Sequence, residues 1–402
     1  MRPMLPSRRS AQAASAIVER VFADYMRPGV LSLAPGAVSW EPPAALVGSS
    51  VEHGATHLHR YGACQGVPEL LNALRRKLEV ENRIEMSGRE VMVTPGANQA
   101  FVSALIATCD AGDEVALFAP YYFSHLVAIQ LLGLTPVVLP CDQSTGAPDC
   151  SALVAALRAP ASRIRAVTLV NPSNPSGSVS GVDVTASVMR ACAEAGAWVI
   201  SDEAYEHFVH PDPGAAQTSP FASAGSVGCE AALADGVLHL HTFSKSYGLA
   251  GWRIGSLSYP SHLHEPLLKV QDTLPTHASI ASQHLALHAL EQLGTPWVHE
   301  QVRGLQPARA LLWEAARPFF ERSAEPAWQP SGAFYYLLPV PRGLEEEEAI
   351  AILARQHGLL LLPGSAFGKP GVLRLSYGGL SDPEQARSAA ARLADAAHRL
   401  CR

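Results

Sequence analysis

The chain has 402 residues, of which 48% are apolar and only 16% charged, and a formal net charge of −6. It is long enough for two domains, or one large and one small, and too apolar for a disordered polymer. The absence of any basic stretch argues against a nucleic-acid binder, and no run approaches the roughly 20 apolar residues of a membrane span.

Residues 1–15 hold three arginines, three alanines and no acid, resembling a transit peptide in miniature. They run straight into a helical pattern (Ala14, Ile17, Val18, Val21, Phe22), which favours reading them as part of the fold. From about Met86 to Tyr259 short apolar runs alternate with helical patterns. The runs are 91–94, 114–118, 136–140, 166–170, 198–201 and 237–241. Short β-rich runs between helices of about 10–15 residues indicate a mostly parallel α/β sheet. Beyond Ile280 the pattern changes to helices at 282–293 and 297–319, strands at 333–338, 359–362 and 372–376, and a last helix at 383–400. That reads as a smaller α+β domain. The boundaries expected are an N-terminal segment 1–45 packing with the small domain, a large domain 46–285 and a small domain 286–402.

Several features have plain readings. The seven cysteines are scattered, odd in number and never in C-x-x-C, as in reduced thiols of a cytosolic enzyme. Glu345–Glu348 opens a helix whose dipole favours carboxylates there, a solvated helix start more than a metal site. His239 and His241 share a strand face without an evident third ligand, so a packed strand is expected and no metal is assigned.

In an open α/β sheet ligands bind beyond the carboxyl ends of the strands, and five of these runs end in polar or glycine-containing motifs. Pro95-Gly96-Ala97-Asn98 leads into a helix at 99–109, whose free N–H groups suit an anion such as phosphate. Ala119-Pro120-Tyr121-Tyr122 offers an aromatic that suits stacking on a flat ring or packing in the core. Asn171-Pro172-Ser173-Asn174-Pro175-Ser176-Gly177 fixes a sharp turn that can aim an amide. Asp202-Glu203-Ala204-Tyr205 puts a carboxylate at a buried strand end, where it needs a partner. Ser244-Lys245-Ser246-Tyr247-Gly248 then Gly251-Trp252-Arg253-Ile254-Gly255 puts a lysine in the same kind of position, to be paired or used covalently.

The S-K-x-x-G-x-x-G-x-R-x-G block at 244–255, with N-P-x-N-P-[ST]-G and D-x-x-Y in the same order, resembles the class I/II aminotransferases of pyridoxal-phosphate fold type I. The resemblance runs from about Leu31 to near the C-terminus. It implies a large domain with a mostly parallel seven-stranded sheet flanked by helices, plus a smaller α+β domain. It implies pyridoxal 5′-phosphate as cofactor, with Lys245 as its Schiff-base lysine and proton shuttle. Asp202 would pair with the pyridine nitrogen, Asn174 and Tyr205 with the ring's phenolic oxygen, and Tyr122 would stack on the ring. Gly96, Ala97 and Asn98 would cradle the phosphate, aided by Thr242, Ser244 and Arg253. Tyr61, in Tyr61-Gly62-x-x-x-Gly66, would reach the phosphate of a neighbouring subunit in a homodimer. Arg374 would grip the substrate α-carboxylate, with Gly36 and Asn174 lining the substrate side. Partners other than substrates and a second subunit, such as nucleic acid or membrane, are not implied; the cytoplasmic place is read from the scattered cysteines.

For the substrate, no Lys or Arg lies between Val91 and Leu157, and Lys269 alone lies between Ile254 and Glu300. The stretch 271–282, near the substrate side chain in relatives, is uncharged apart from Asp272 and His277. A neutral pocket favours aromatic or methionine-like substrates over dicarboxylates, unless Arg20 or Arg27 reaches in. Residues 93–102, 109–113, 120–123 and 269–272 look like the plant-type methionine-dependent aromatic aminotransferases, and Ser7-Arg8-Arg9 and Gly36-x-x-x-Trp40-x-Pro42-Pro43 fit as well. The alternatives are an aspartate- or alanine-type aminotransferase and a C–S lyase on the same cofactor residues. A ligand-sensing regulator of this fold would need a DNA-binding module where only about 30 residues precede the first motif.

Overall fold

The computed structural model describes residues 5–54, 58–210, 221–321, 323 and 329–401. Twelve strands appear in chain order: β1 (Leu31–Ser32), β2 (Arg89–Thr94), β3 (Glu114–Ala119), β4 (Thr135–Pro140), β5 (Ile164–Val170), β6 (Trp198–Asp202), β7 (Val237–Thr242), β8 (Gly255–Pro260), β9 (Tyr335–Pro339), β10 (Leu359–Leu360), β11 (Leu362–Pro363) and β12 (Val372–Ser376). Seven of them form one sheet in the order β2-β8-β7-β6-β5-β3-β4.

The side chains of this sheet alternate between two cores, as the two-residue period of a strand requires. On one face Leu117, Ile200, Leu240 and Leu257 pack with Phe101 and Leu105 of the helix Ala97–Thr108. On the other Ala116, Val167, Leu169 and Val199 meet Val188, Met189 and Cys192 of the helix Val182–Ala195. A fully buried side chain of this kind contributes about 1.5–3 kcal/mol. Both faces being covered is what the near-continuous apolar runs anticipated.

All seven strands run in one direction except β8, which is antiparallel to β2 and to β7. The β8 run, Gly-Ser-Leu-Ser-Tyr-Pro, is fully buried yet lacks an apolar stretch, so it is absent from the six runs read from the sequence. Its reversal places Gly255 between Thr94 and Thr242, at the edge where the other strands end. The connection from β7 to β8, which holds the 244–255 block, therefore begins and ends at the same edge.

Two small sheets follow: β11-β12-β9, antiparallel, and β1 beside β10, parallel. The expected strand at 372–376 and helix at 383–400 are found at those bounds as Val372–Ser376 and Pro383–Leu400. The expected helix at 297–319 is two, Gly294–Gly304 and Gln306–Glu321, broken around Leu305. The helix Ile17–Tyr25 forms as its pattern indicated, with Ile17 and Val21 buried. Among the described residues no helix is long and apolar enough to cross a membrane. No disulfide joins any of the cysteines among the described residues.

Candidate active site

The strand ends converge on a cleft of about 220 Å³. Of the expected site residues, Gly36, Ala97, Asn98, Tyr122, Asn174, Asp202, Tyr205, Thr242, Ser244, Lys245, Arg253 and Arg374 all line it.

At the end of β2, Gly96 takes a positive φ of 82° and precedes the helix Ala97–Thr108 without a side-chain cap. The first N–H groups of that helix are thus left for a ligand. A Cβ at Gly96 would strike the guanidinium of Arg253, and one at Gly255 would strike the backbone of Gly96. The two glycines allow the arginine and the helix start to share one anion-sized corner. Thr242 ends β7 and accepts from the Ser244 N–H at 3.1 Å, turning the chain into the short helix Phe243–Ser246 that carries Lys245.

The Lys245 ammonium donates to the carbonyl of Gly36. Burial, then the charges of Arg374 and Arg253, bring its pKa from 10.5 down to about 8, against a smaller opposite pull from Asp202. The free amine is therefore available near neutral pH. In protein without cofactor, reductive methylation of Lys245 followed by peptide mass mapping should be half-maximal near pH 8; a midpoint near 10.5 would contradict this environment.

Asp202 ends β6 and is 5% exposed. One oxygen accepts from the Ala204 N–H at 3.1 Å; the other lies 3.1 Å from His125 Nε2. His125 is stacked on Phe101 with centroids 4.0 Å apart and has Tyr122 at its edge. Neither His125 nor its pairing was read from the sequence. The doubled Asn-Pro turn divides its labour. The Asn171 amide bonds the backbone of Ser180 in both directions, while Asn174 faces the cleft and accepts from Arg374 Nη1 at 3.0 Å.

Arg374, on β12, is 2% exposed. It donates to the Ala34 carbonyl and lies between the rings of Tyr335 and Phe367, 4.6 and 4.7 Å from their centroids. No carboxylate pairs with it among the described residues, and its Nε has no hydrogen-bond partner. A buried guanidinium in that state calls for an anion. The Tyr205 hydroxyl bonds that of Tyr335 at 2.5 Å. Tyr121, next to Tyr122 in sequence, turns away and packs on Gly368.

Two expectations come out differently, the place of residues 271–282 and the solvation of Glu345–Glu348. Residues 271–282 do not line the cleft of their own chain: Gln271 donates to the Val93 carbonyl and Ser282 to that of Trp252. Val18 and Phe123 line it instead. Neither Arg20 nor Arg27 reaches in; Arg20 borders a separate groove, and Arg27 bonds carbonyls of Ala23, Asp24 and Met26. Glu346 is not simply solvated, since its carboxylate accepts from the N–H groups of Ser365 and Gly371. Tyr61 is 88% exposed and meets the edge of His277.

His241 does gain carboxylate neighbours: Glu203 and Glu206 lie 3.4 and 3.7 Å from its Nε2. Their oxygens are already engaged. Ser223 donates to Glu203, and Lys77 and Asn82 donate to Glu206, so the ammonium of Lys77 supplies the positive charge in this buried pocket.

A nucleophilic amine at a strand end, a buried carboxylate, a phosphate-sized corner and an unpaired buried guanidinium define an enzyme that handles amino acids through their amino group. The family model for aminotransferase class I and II matches residues 29–393, and the chain belongs to that family. It is 37% identical to aromatic aminotransferase ISS1 of Arabidopsis thaliana over 94% of this chain and 91% of that protein. Among solved structures it resembles the aspartate aminotransferase of Thermus thermophilus with maleate (TM-score 0.85, 27% identity, 98% of this chain and 100% of that one). It also resembles the aromatic aminotransferase of Pyrococcus horikoshii OT3 (TM-score 0.81, 27% identity, 94% and 98%). The protein is an aminotransferase.

Proposed function

We propose that the cleft binds pyridoxal 5′-phosphate and that the enzyme moves the amino group of an aromatic or methionine-like L-amino acid to a 2-oxo acid in two half-reactions. The donor set fits the cofactor. The corner formed by Gly96, Ala97, Asn98, Thr242, Ser244 and Arg253 suits a phosphate. Asp202 suits a protonated ring nitrogen, Asn174 and Tyr205 a ring oxygen, Tyr122 the ring face and Lys245 an aldehyde carbon. When bound, the cofactor supplies the electron sink for the bond broken at the substrate's α-carbon.

The rest is the work of the chain. Lys245, whose surroundings ease the loss of its own proton, would take the proton from the α-carbon and return it at the cofactor's C4′. Asp202, oriented by His125, holds the proton on the ring nitrogen. Tyr205 and Asn174 donate hydrogen bonds to the ring oxygen. Arg374 takes the α-carboxylate in a bidentate fork, which fixes the scissile bond relative to Lys245.

The observation that carries the substrate class is the cation inventory of the cleft. Among the described lining residues the cations are Lys245, Arg253 and Arg374, each with an assigned task, while Val18, Tyr122, Phe123 and Tyr335 supply apolar and aromatic surface. A distal carboxylate would find no cation there that is not already assigned another task. The relative named as an aromatic aminotransferase supports the same reading. The test is a panel of half-reactions, in which single amino acids convert the visible absorbance of the holoenzyme to that of the aminated cofactor. Met, Phe, Tyr and Trp should react faster than Asp or Glu. Rapid reaction with Asp or Glu and none with the other four would sink the assignment.

We further infer a cytoplasmic homodimer in which the exposed Tyr61 reaches the cofactor phosphate of the neighbouring subunit. The division into 1–45, 46–285 and 286–402 is supported by strands β2 to β8 lying within 89–260, β9 to β12 within 335–376, and β1 crossing to β10.

A further inference from the structure

Tyr335 opens β9, is fully buried and lines the cleft, with its hydroxyl beside Gly36 and Tyr205. It touches two functional groups at once. Its ring lies 4.6 Å from the Arg374 guanidinium carbon, and its hydroxyl is hydrogen-bonded to that of Tyr205. A Cβ at Gly36 would collide with the same hydroxyl and come within 3.7 Å of Tyr205's, so the glycine keeps the space in which the two meet. A tyrosine used only for packing could be phenylalanine without loss; what distinguishes it here is one oxygen, and that oxygen's partner is Tyr205.

We propose that Tyr335 is a positioning residue for the transamination. Its hydroxyl donates to the oxygen of Tyr205, which turns the proton of Tyr205 towards the cleft and the cofactor's ring oxygen. This rests on the reading of Tyr205 given above. Were the bond reversed, Tyr205 would spend its single proton on Tyr335 and have none for a ligand, since a phenol is one donor. A donor behind Tyr205 also polarises it and strengthens the bond it gives in turn. Burial keeps both phenols protonated over the working pH range, and either oxygen can be the donor until a ligand accepts from Tyr205, which leaves Tyr335 as the donor to it.

The experiment is a spectroscopic titration of the holoenzyme in wild-type, Tyr205→Phe, Tyr335→Phe and doubly substituted forms. It follows the acid–base midpoint of the lysine-bound cofactor by visible absorbance. A hydrogen bond to the ring oxygen lowers that midpoint, so losing it raises the midpoint. Tyr205→Phe should raise it by roughly one to two pH units, Tyr335→Phe by roughly half to one, and the double variant no further than Tyr205→Phe alone. Tyr335→Phe should lower kcat about three- to ten-fold with KM changed less than about two-fold, and its melting temperature should stay close to wild type. An unmoved midpoint in Tyr335→Phe beside a raised one in Tyr205→Phe overturns the proposal and leaves the Tyr205 reading intact. Additive shifts in the double variant also overturn it. An unmoved midpoint in Tyr205→Phe would remove the Tyr205 reading itself and the proposal with it.

Discussion

Lys245→Ala is expected to lose transamination by at least roughly 10⁴-fold, the upper range for removing a positioned acid–base group, while the protein still folds. The loss is this large because, in the proposed mechanism, the same amine would both hold the cofactor and move the proton between two carbons. No other lysine lines the cleft among the described residues to replace it. Folding should be unaffected for two reasons. Lys245 sits in a four-residue helix, Phe243–Ser246, whose other members Phe243, Ser244 and Ser246 are buried and hold the turn. Its ammonium is in surroundings that disfavour the charge, so removing it relieves a penalty instead of breaking an ion pair. The checks are single-turnover absorbance with a good donor and a melting curve. A turnover rate within ten-fold of wild type would overturn the mechanism, and partial recovery with added methylamine would support it.

Arg374→Lys is expected to lower kcat/KM for amino acids by roughly 10²–10³, the range for breaking a buried, hydrogen-bonded charge pair. Lysine keeps the charge but loses the planar fork, and it cannot donate to the substrate carboxylate while also bonding Asn174 and the Ala34 carbonyl. The decisive comparison is between tyrosine and tyramine, which differ by the carboxylate. Wild type should strongly prefer tyrosine; in the variant most of that preference should vanish, with tyramine reacting about as before. A preference that survives in Arg374→Lys would place the carboxylate elsewhere. Because the guanidinium is buried between Tyr335 and Phe367, an unchanged circular dichroism spectrum should accompany the kinetics.

The parts of the site that lie along single strand-to-helix connections were legible in the sequence. Gly96, Asp202 and Lys245 each sit just past the end of an apolar run, and Arg253 follows Lys245 within the same local motif. Residues brought in by sheet order were not. His125 meets Asp202 because β6 lies two strands from β3, an arrangement no spacing encodes. A hint existed in its place three residues after Tyr122, on the first turn of the helix Phe123–Leu131. Tyr335 and Tyr336 follow one another in an apolar strand, and only the register of β9 against β12 decides which hydroxyl meets Tyr205. Strand β8 escaped notice because buried serines interrupt its apolar residues. Neither stretch 271–282 nor Tyr61 lines the cleft of its own chain, so the contacts of one chain give them no place in the site.

The hydrogen bond between Arg374 and Asn174 joins a strand of the three-stranded sheet to a loop of the seven-stranded one. The cleft is thus a seam between two sheets, and its width is a mechanical tolerance set by how those sheets rest on each other. Gly177 and Gly332 form part of that bearing surface: they are hydrogen-bonded backbone to backbone, and a Cβ on Gly177 would meet Pro330 and the Gly332 carbonyl. A wedge inserted there would be expected to move the two sides of the cleft apart without touching Arg374 or Asn174.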